Sequence, residues 1–329
     1  MAVQIIAEVG SVHDGSFGNA RKLVEAAADC GVDAVKFQTH IAEAESLPSA
    51  PSPGYFTAEP RIDYFRRTAF SAEQWSALKT ACAERGVGFL SSPFSLEAVD
   101  LLEQIGVEAY KIPSGEVTNL PLLERVAATG KAVLLSSGMS DWAELDAAVE
   151  TLRAGGPLTV LQCSSIYPCP PESVGLNVIG ELRERYGLPV GFSDHSQGLT
   201  AAVAAVACGA SVIEKHLTFS RLMYGSDAAN ATEPGDFGLL VQMIRELEAM
   251  LAHPVDKDEV TPYREMKRIF EKSVVTARPL AAGTTLSAED LAFKKPGDGI
   301  SAARYREVIG RRAARDLPAD HLLSTRDLS

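Results

Sequence analysis

Short apolar, β-branched runs return along the chain at intervals: VQIIAEV (3–9), AVKFQ (34–38), GFLSS (88–92), AYKIPS (109–114), AVLLSS (132–137), LTVLQCS (158–164), PVGFSD (189–194) and SVIEKHL (211–217). Each has the length of a buried strand. Between them apolar positions recur with a helical period, as in NARKLVEAAADCG (19–31), SAEQWSALKTACAERG (71–86) and DWAELDAAVETLRAGG (141–156). Several of these segments open on Ser or Asp and close on Gly, as helices do. Strands separated by helices predict a parallel sheet. Eight such units over about 250 residues match a (β/α)8 TIM barrel, with GDFGLLVQMIRELEAML (235–251) as the final cover. An open doubly wound sheet is the competing arrangement. Its first turn should read GxGxxG, and EVGSVHDGSFG has the wrong spacing.

The pattern changes after residue 252. HPVDKDEVTPYR (253–264) is charged and holds two prolines, which predicts a linker over 253–269. From about residue 270, SVVTARPL, TTLSAEDLAF and KKPGDGIS alternate short extended stretches with turns. That predicts a small β-rich domain over 270–329 beside a catalytic barrel over 1–252.

Composition narrows the partners. The chain has 329 residues, 46% of them hydrophobic, enough to bury a large core. A net charge of −12 without runs of Lys and Arg argues against a nucleic-acid surface. The five cysteines lack zinc-finger spacing, so reduced thiols in a cytoplasmic protein are expected. The N-terminus does not read as a signal peptide, and the longest apolar run, 201–213, is too short to span a bilayer.

Chemistry in a parallel barrel collects at the carboxyl ends of the strands. Polar residues gather there: Glu8; Lys36 and Gln38; Ser91 and Ser92; Lys111, Ser114 and Glu116; Ser136 and Ser137; Ser164, Ser165 and Tyr167; Ser193, Asp194 and His195; Glu214, Lys215 and His216. Alternation puts Lys36 with Gln38, Ser193 with His195, and Glu214 with His216 on shared faces, and turns Lys215 outward toward the helices. His195 and His216, on neighbouring strands, could hold one divalent ion with positions left open. Two lysines among serines suit a phosphate or carboxylate, hence a phosphorylated anionic substrate. Glu8 and Glu116 could serve as general acid or base. Each residue also has a structural reading. The histidines could be hydrogen-bonded core residues, the serines could satisfy loop backbone, and Lys36 and Lys111 could pair with Glu8 and Glu116. The favoured reading rests on polar groups ending essentially every strand. His13, His40, His253 and His321 are expected at the surface or in loops.

These residues sit in longer words, IAEVGSVHDG, DAVKFQ, YKIPSGEVTNLPLL, VLLSSGMS, CSSIYPCP, VGFSDHSQG and IEKHLTF. Over nearly the whole chain they resemble the N-acylneuraminate (sialic acid) synthase family. KSVVTARPLAAGTTLSAEDL and FKKPGDGIS are similar to that family's antifreeze-like (SAF) domain. The resemblance implies condensation of phosphoenolpyruvate with the open-chain aldehyde of an N-acylated amino sugar, releasing phosphate and a nine-carbon 2-keto acid. It implies Mn2+ or Mg2+ on His195 and His216, Glu116 handling the proton of the attacking water, and Glu8 near metal and substrate. Lys36, Ser92, Lys111, Ser114, Ser136 and Ser193 fall to phosphoenolpyruvate; Gln38, Ser165, Tyr167 and Asp227 fall to the sugar. It also implies a domain-swapped homodimer, in which the antifreeze-like domain of one subunit brings Lys295 to the other's barrel.

Departures from the family's words bear on the acceptor. Val12 stands where EIGxNH has Asn, Ala228 and Ala231 stand for the His and Ser of DHxxS, and Lys295 replaces the Arg of VKRP. They point away from plain N-acetylmannosamine toward another hexose, such as a deoxy-diamino sugar. Three other readings stay open: a phosphoenolpyruvate-using synthase acting on a shorter or phosphorylated aldose, an aldolase with a Schiff base at Lys111, and a sugar-binding protein without turnover.

Overall fold

The computed structural model describes residues 2–51, 59–225 and 227–329. Eight parallel strands close into a barrel: β1 (Gln4–Gly10), β2 (Ala34–Thr39), β3 (Gly88–Pro93), β4 (Ala109–Ile112), β5 (Ala132–Ser136), β6 (Leu158–Cys163), β7 (Val190–Asp194) and β8 (Val212–His216). Pairing of β1 with β8, in the register Glu8 to His216, completes the ring. The ring is covered by helices α1 (Phe17–Asp29), α2 (Ala42–Glu45), α3 (Arg61–Thr68), α4 (Ala72–Glu84), α5 (Leu96–Gln104), α6 (Leu120–Ala127), α7 (Trp142–Arg153), α8 (Leu176–Tyr186), α9 (Thr200–Ala207) and α10 (Pro234–Ala252). The caps expected from sequence form: Ser71 with Gln74 and Asp141 with Glu144 make reciprocal capping boxes opening α4 and α7.

The barrel interior is layered. Ile6, Ala34, Leu90, Leu134, Leu161 and Val212 make one buried apolar cluster, one residue from each of six strands. Gly191 of β7 leaves room for it, because a Cβ there would come within 2.8 Å of the Val212 carbonyl oxygen. Two residues further along each strand, on the same face, stand Glu8, Lys36, Ser92, Ser136, Cys163 and Glu214, joined by Lys111 and Ser193. The lower layer is thus an apolar floor and the next is polar. Residues of opposite parity, such as Ile5, Val35, Leu135, Val160 and Ile213, enter the large cluster between strands and helices.

The chain divides into one compact unit ending at His253 and a second over Pro254–Ser329. Within the second, β9 (Ser273–Thr276) pairs antiparallel with β10 (Leu291–Lys294) over a core that includes Val274, Leu286, Leu317 and Leu323. The segment expected as a linker carries a helix of its own, α11 (Arg264–Phe270), and belongs to this second unit. Among the described residues, no helix is long and apolar enough to cross a membrane.

Two of the histidines expected at the surface or in loops, His13 and His40, stand in loops but are buried. The His13 ring packs 4.5 Å from Phe70, and burial pushes its pKa down to about 4. His40 is stacked between Phe65 at 3.8 Å and Phe94 at 4.1 Å. Neither placement had a local sequence signal, because the covering rings come from distant segments. His253 is exposed, and His321 is half-buried beside Asp327 at 3.2 Å.

Candidate active site

The polar layer opens into a cavity at the carboxyl ends of the strands, with Glu8, Lys36, Lys111, Ser136, Ser193 and Glu214 in its wall. Strand register explains how they meet, since Glu8 lies opposite Lys36 and Ser193 opposite Glu214. Lys36 Nζ donates to Glu8 Oε2 at 2.7 Å, and Gln38 donates to Glu8 Oε1 at 2.9 Å. Lys111 donates to Ser136 Oγ at 2.6 Å and lies 3.6 Å from Glu214 Oε1. Glu214 also accepts from Ser193 Oγ at 3.1 Å and lies 3.9 Å from Lys36 Nζ. Two carboxylates and two ammonium groups therefore alternate in one buried network. Of the pairings considered from sequence, Lys36 with Glu8 forms, while Lys111 turns to Glu214 rather than Glu116.

Burial and charge divide these groups. Burial outweighs Lys36 and pushes the Glu8 carboxyl up to about 7. For Glu214 burial acts in the same direction, but Lys111 and Lys36 overcome it and hold the carboxyl well below the usual range. Burial lowers the Lys111 ammonium. Lys36 is also opposed by burial, yet is raised by Glu214 and Glu8. Glu214 Oε2, His216 Nδ1 and Ser92 Oγ are buried without a hydrogen-bond partner among the described residues. Unsatisfied polar atoms are costly in an interior and mark where a ligand belongs.

The histidines stand together on the wall, ring centroids 5.6 Å apart. His195 Nδ1 lies 2.7 Å from the Ser164 carbonyl, so it carries the proton, and Nε2 faces the Tyr167 hydroxyl at 3.1 Å. Burial lowers the His216 pKa to about 4, which leaves a neutral ring with a lone pair. Burial also opposes a charge on His195, but Cys163 Sγ, 3.8 Å from Nδ1, outweighs it and raises the pKa, while the thiol is lowered. Two imidazoles, one with an orphaned ring nitrogen, fit a first-row divalent cation. Among the described residues no group of three or more His, Cys, Asp or Glu is arranged to hold a metal, so further ligands would come from substrate and water, as in an open catalytic site.

Gln38, Ser114, Ser165, Tyr167 and Asp227 also line the cavity. Asp227 Oδ2 accepts from the Ser11 amide and hydroxyl, each at 3.3 Å. Gly10 makes that approach possible: its φ is +54°, and a Cβ would lie 2.6 Å from Asp227 Oδ2. Gly10→Ala is therefore expected to cost about 1–2 kcal/mol for the left-handed backbone alone. A thermal melt should show a fall of roughly 2–8 °C.

Two expected site residues lie off the cavity wall. Glu116 sits in the 3-10 turn Ser114–Glu116 after β4, half-buried and held by Asn119 Nδ2 at 2.7 Å, and is not among the described lining residues. Burial raises its carboxyl. Ser92 shares the inward face of β3 with Leu90 but does not reach the cavity wall. Lys295 belongs to the second unit, exposed, with its ammonium 4.8 Å from the centre of the Phe270 ring. The departures at Val12, Ala228 and Ala231 are buried side chains off the cavity wall, so they are not direct contacts there. Lys215 points away as alternation requires, and pairs in the interior with Asp194 at 2.7 Å. Sequence reasoning gave Glu214 only a supporting role and passed over Cys163 and Arg61. Parity along β6 and β8 could have found the first two, whereas Arg61 opens α3 and lies outside the strand pattern.

Comparison with known proteins agrees with this architecture. The NeuB family model matches residues 23–256, and the SAF domain model matches residues 271–329. The chain is 36% identical over 328 residues to N,N'-diacetyllegionaminic acid synthase of Campylobacter jejuni, covering 97% of this chain and 98% of the relative. It is 34% identical over 332 residues to the Legionella pneumophila protein of the same name, covering 97% and 92%. Among solved structures, the N-acetylneuraminic acid synthetase of Leptospira borgpetersenii superposes with a TM-score of 0.72 at 30% identity, covering 81% of this chain and 91% of that one. On the family model and these relatives, spanning nearly its whole length, the chain belongs to the NeuB family.

Proposed function

We propose that this chain is a nonulosonic acid synthase that condenses phosphoenolpyruvate with an N-acylated amino hexose, releasing phosphate and a nine-carbon 2-keto acid. The observation that carries the reading is the polar layer above the barrel floor. Two buried lysines and two serines converge there beside two histidines and a glutamate with an unsatisfied oxygen. The names of the relatives, synthases of legionaminic and neuraminic acids, support the product class.

Lys36 and Lys111, with Ser114, Ser136 and Ser193, would take the phosphate and carboxylate of phosphoenolpyruvate. The network with Glu8 and Glu214 keeps both lysines oriented before the anion arrives. Gln38, Ser165, Tyr167 and Asp227 would read the acceptor. A divalent cation held by His195 and His216 would supply Lewis acidity toward the acceptor's aldehyde. In the overall reaction carbon 3 of phosphoenolpyruvate bonds to the aldehyde carbon, whose oxygen gains a proton. Water adds at carbon 2 and phosphate departs with the bridging oxygen. Phosphoenolpyruvate labelled with 18O at that bridge tests the step: the label is expected in phosphate, and label retained in the keto acid would contradict C–O cleavage.

Glu116, next in the turn to the wall residues Ser114 and Gly115, would accept the water's proton. It must be ionised to act, and its pKa is raised by burial, so activity should be lost on acidification at a higher pH than for an exposed glutamate. Glu116→Gln is expected to lower kcat by about 100-fold and to remove that acidic limb. A pH–rate profile of both proteins checks it.

Lys295 would act on a neighbouring subunit's acceptor within a homodimer. Lys295→Ala is then expected to raise the acceptor KM about tenfold, the loss of one charged hydrogen bond. At acceptor concentrations well below KM, where Lys295→Ala alone keeps about a tenth of the wild-type rate, coexpression with His216→Ala should raise this to about a quarter, because half the dimers are mixed and one site in each is intact. No recovery would place Lys295 in its own subunit's chemistry or outside it. The five free cysteines support the cytoplasm as the compartment.

A further inference from the structure

Among the described residues that line the cavity, Arg61 is a cation that the mechanism above does not use. Lys36 is committed to Glu8, and Lys111 to Ser136 and Glu214. Arg61, the first residue of α3, also lines the cavity, and it has no hydrogen bond or ion pair to any described residue. Its Nε is buried without a partner, and its guanidinium carbon lies 5.2 Å from the centre of the Phe65 ring. Phe65 and Phe94 are cavity residues too, stacked on either side of His40, whose ring nitrogens are held by Glu45 at 2.8 Å and Gln38 at 3.1 Å. This corner therefore offers one unsatisfied planar donor beside a rigid apolar wall.

That combination matches an acylamino group, whose carbonyl oxygen needs a donor and whose methyl needs an apolar surface. A phosphate matches it poorly. Arg61 already faces the charge of Glu116, which also feels Glu45, so a dianion entering here would meet two carboxylates. We infer that Arg61, with Phe65 and Phe94, forms a subsite for an N-acyl substituent of the acceptor, so that a hexose lacking the acylamino group seated there is disfavoured. The inference rests on the synthase reading above and adds to it the residue that sets acceptor preference.

The test measures phosphate release with phosphoenolpyruvate saturating and two acceptors: a di-N-acetylated hexose, and its analogue with a hydroxyl replacing the second acetamido group. Arg61→Met is expected to raise KM for the first by about tenfold or more and to leave KM for phosphoenolpyruvate within about twofold. It should also erase the preference between the acceptors. Arg61→Lys, which keeps charge but not the planar fork, should show a smaller shift in the same direction, and carries the test if Arg61→Met does not fold. Wild type active on both acceptors, with variants unchanged in acceptor KM and preference, overturns the inference alone. So does a preference for a 6-phosphorylated acceptor that Arg61→Met abolishes, since Arg61 would then read phosphate. No turnover by wild type with any acceptor overturns the synthase reading itself, and this inference with it.

Discussion

His216→Ala is expected to remove at least about 10³-fold of turnover, the rate equivalent of roughly 4 kcal/mol of Lewis-acid stabilisation, while leaving the fold intact. The structural side of this expectation is unusual for a buried residue. His216 Nδ1 has no hydrogen-bond partner among the described residues, so truncating the ring strands no donor or acceptor of theirs there. The ring also lines an open cavity rather than filling the core. Melting should therefore move little, and Mn2+ binding, followed by electron paramagnetic resonance of the free ion, should weaken sharply. Chelation of the wild type should mimic the variant, and borohydride in the presence of substrate should not inactivate it. Inactivation by borohydride would favour a Schiff base at Lys111, whose lowered ammonium pKa suits that chemistry. Full activity of His216→Ala would end the metal assignment.

Glu214→Ala should fail differently, through stability as well as rate. Glu214 is buried between Lys111 at 3.6 Å and Lys36 at 3.9 Å, and it accepts from Ser193. Removing it leaves two buried ammonium groups facing one remaining carboxylate, Glu8. Breaking a buried ion network from one side costs about 3–5 kcal/mol, which urea denaturation at neutral pH would resolve. Lys111, already depressed by burial, loses the main charge that holds its proton, so KM for phosphoenolpyruvate should rise most steeply at alkaline pH. Glu214→Gln keeps an acceptor for Ser193 but not the charge, and should fall between the two. A Glu214→Ala protein as stable as wild type would mean that the network is solvated and does not hold the cavity wall together.

Much of this site was legible because period-two alternation acts on every strand. The same parity that buries Ile6, Leu90 and Leu161 below the cavity brings Glu8, Lys36 and Glu214 into it two residues later. It also separates Lys215 from its neighbours, and the Lys215 to Asp194 pair shows where that side chain goes. Alternation contains no distances between strands, so the preference of Lys111 for Glu214 over Glu116 needed the closure of the barrel, which brings β4 and β8 side chains together across its interior, and the short turn that carries Glu116 off the wall. Residues outside the repeating units were least legible. His40 is buried by rings contributed from α3 and from the loop after β3, and Arg61 enters the cavity from the first turn of α3, whose direction strand alternation does not give. The departures at Val12, Ala228 and Ala231 read naturally as changed substrate contacts, yet their burial shows them filling space behind the wall.

The most direct measurement is phosphate release from phosphoenolpyruvate by the full-length protein, with and without Mn2+, across a panel of N-acylated hexosamines, with product masses recorded. Metal-stimulated release in step with one acceptor, and a product of that acceptor plus three carbons as a 2-keto acid, is the expected result. No release with any acceptor, or release that ignores the acceptor, would contradict the account.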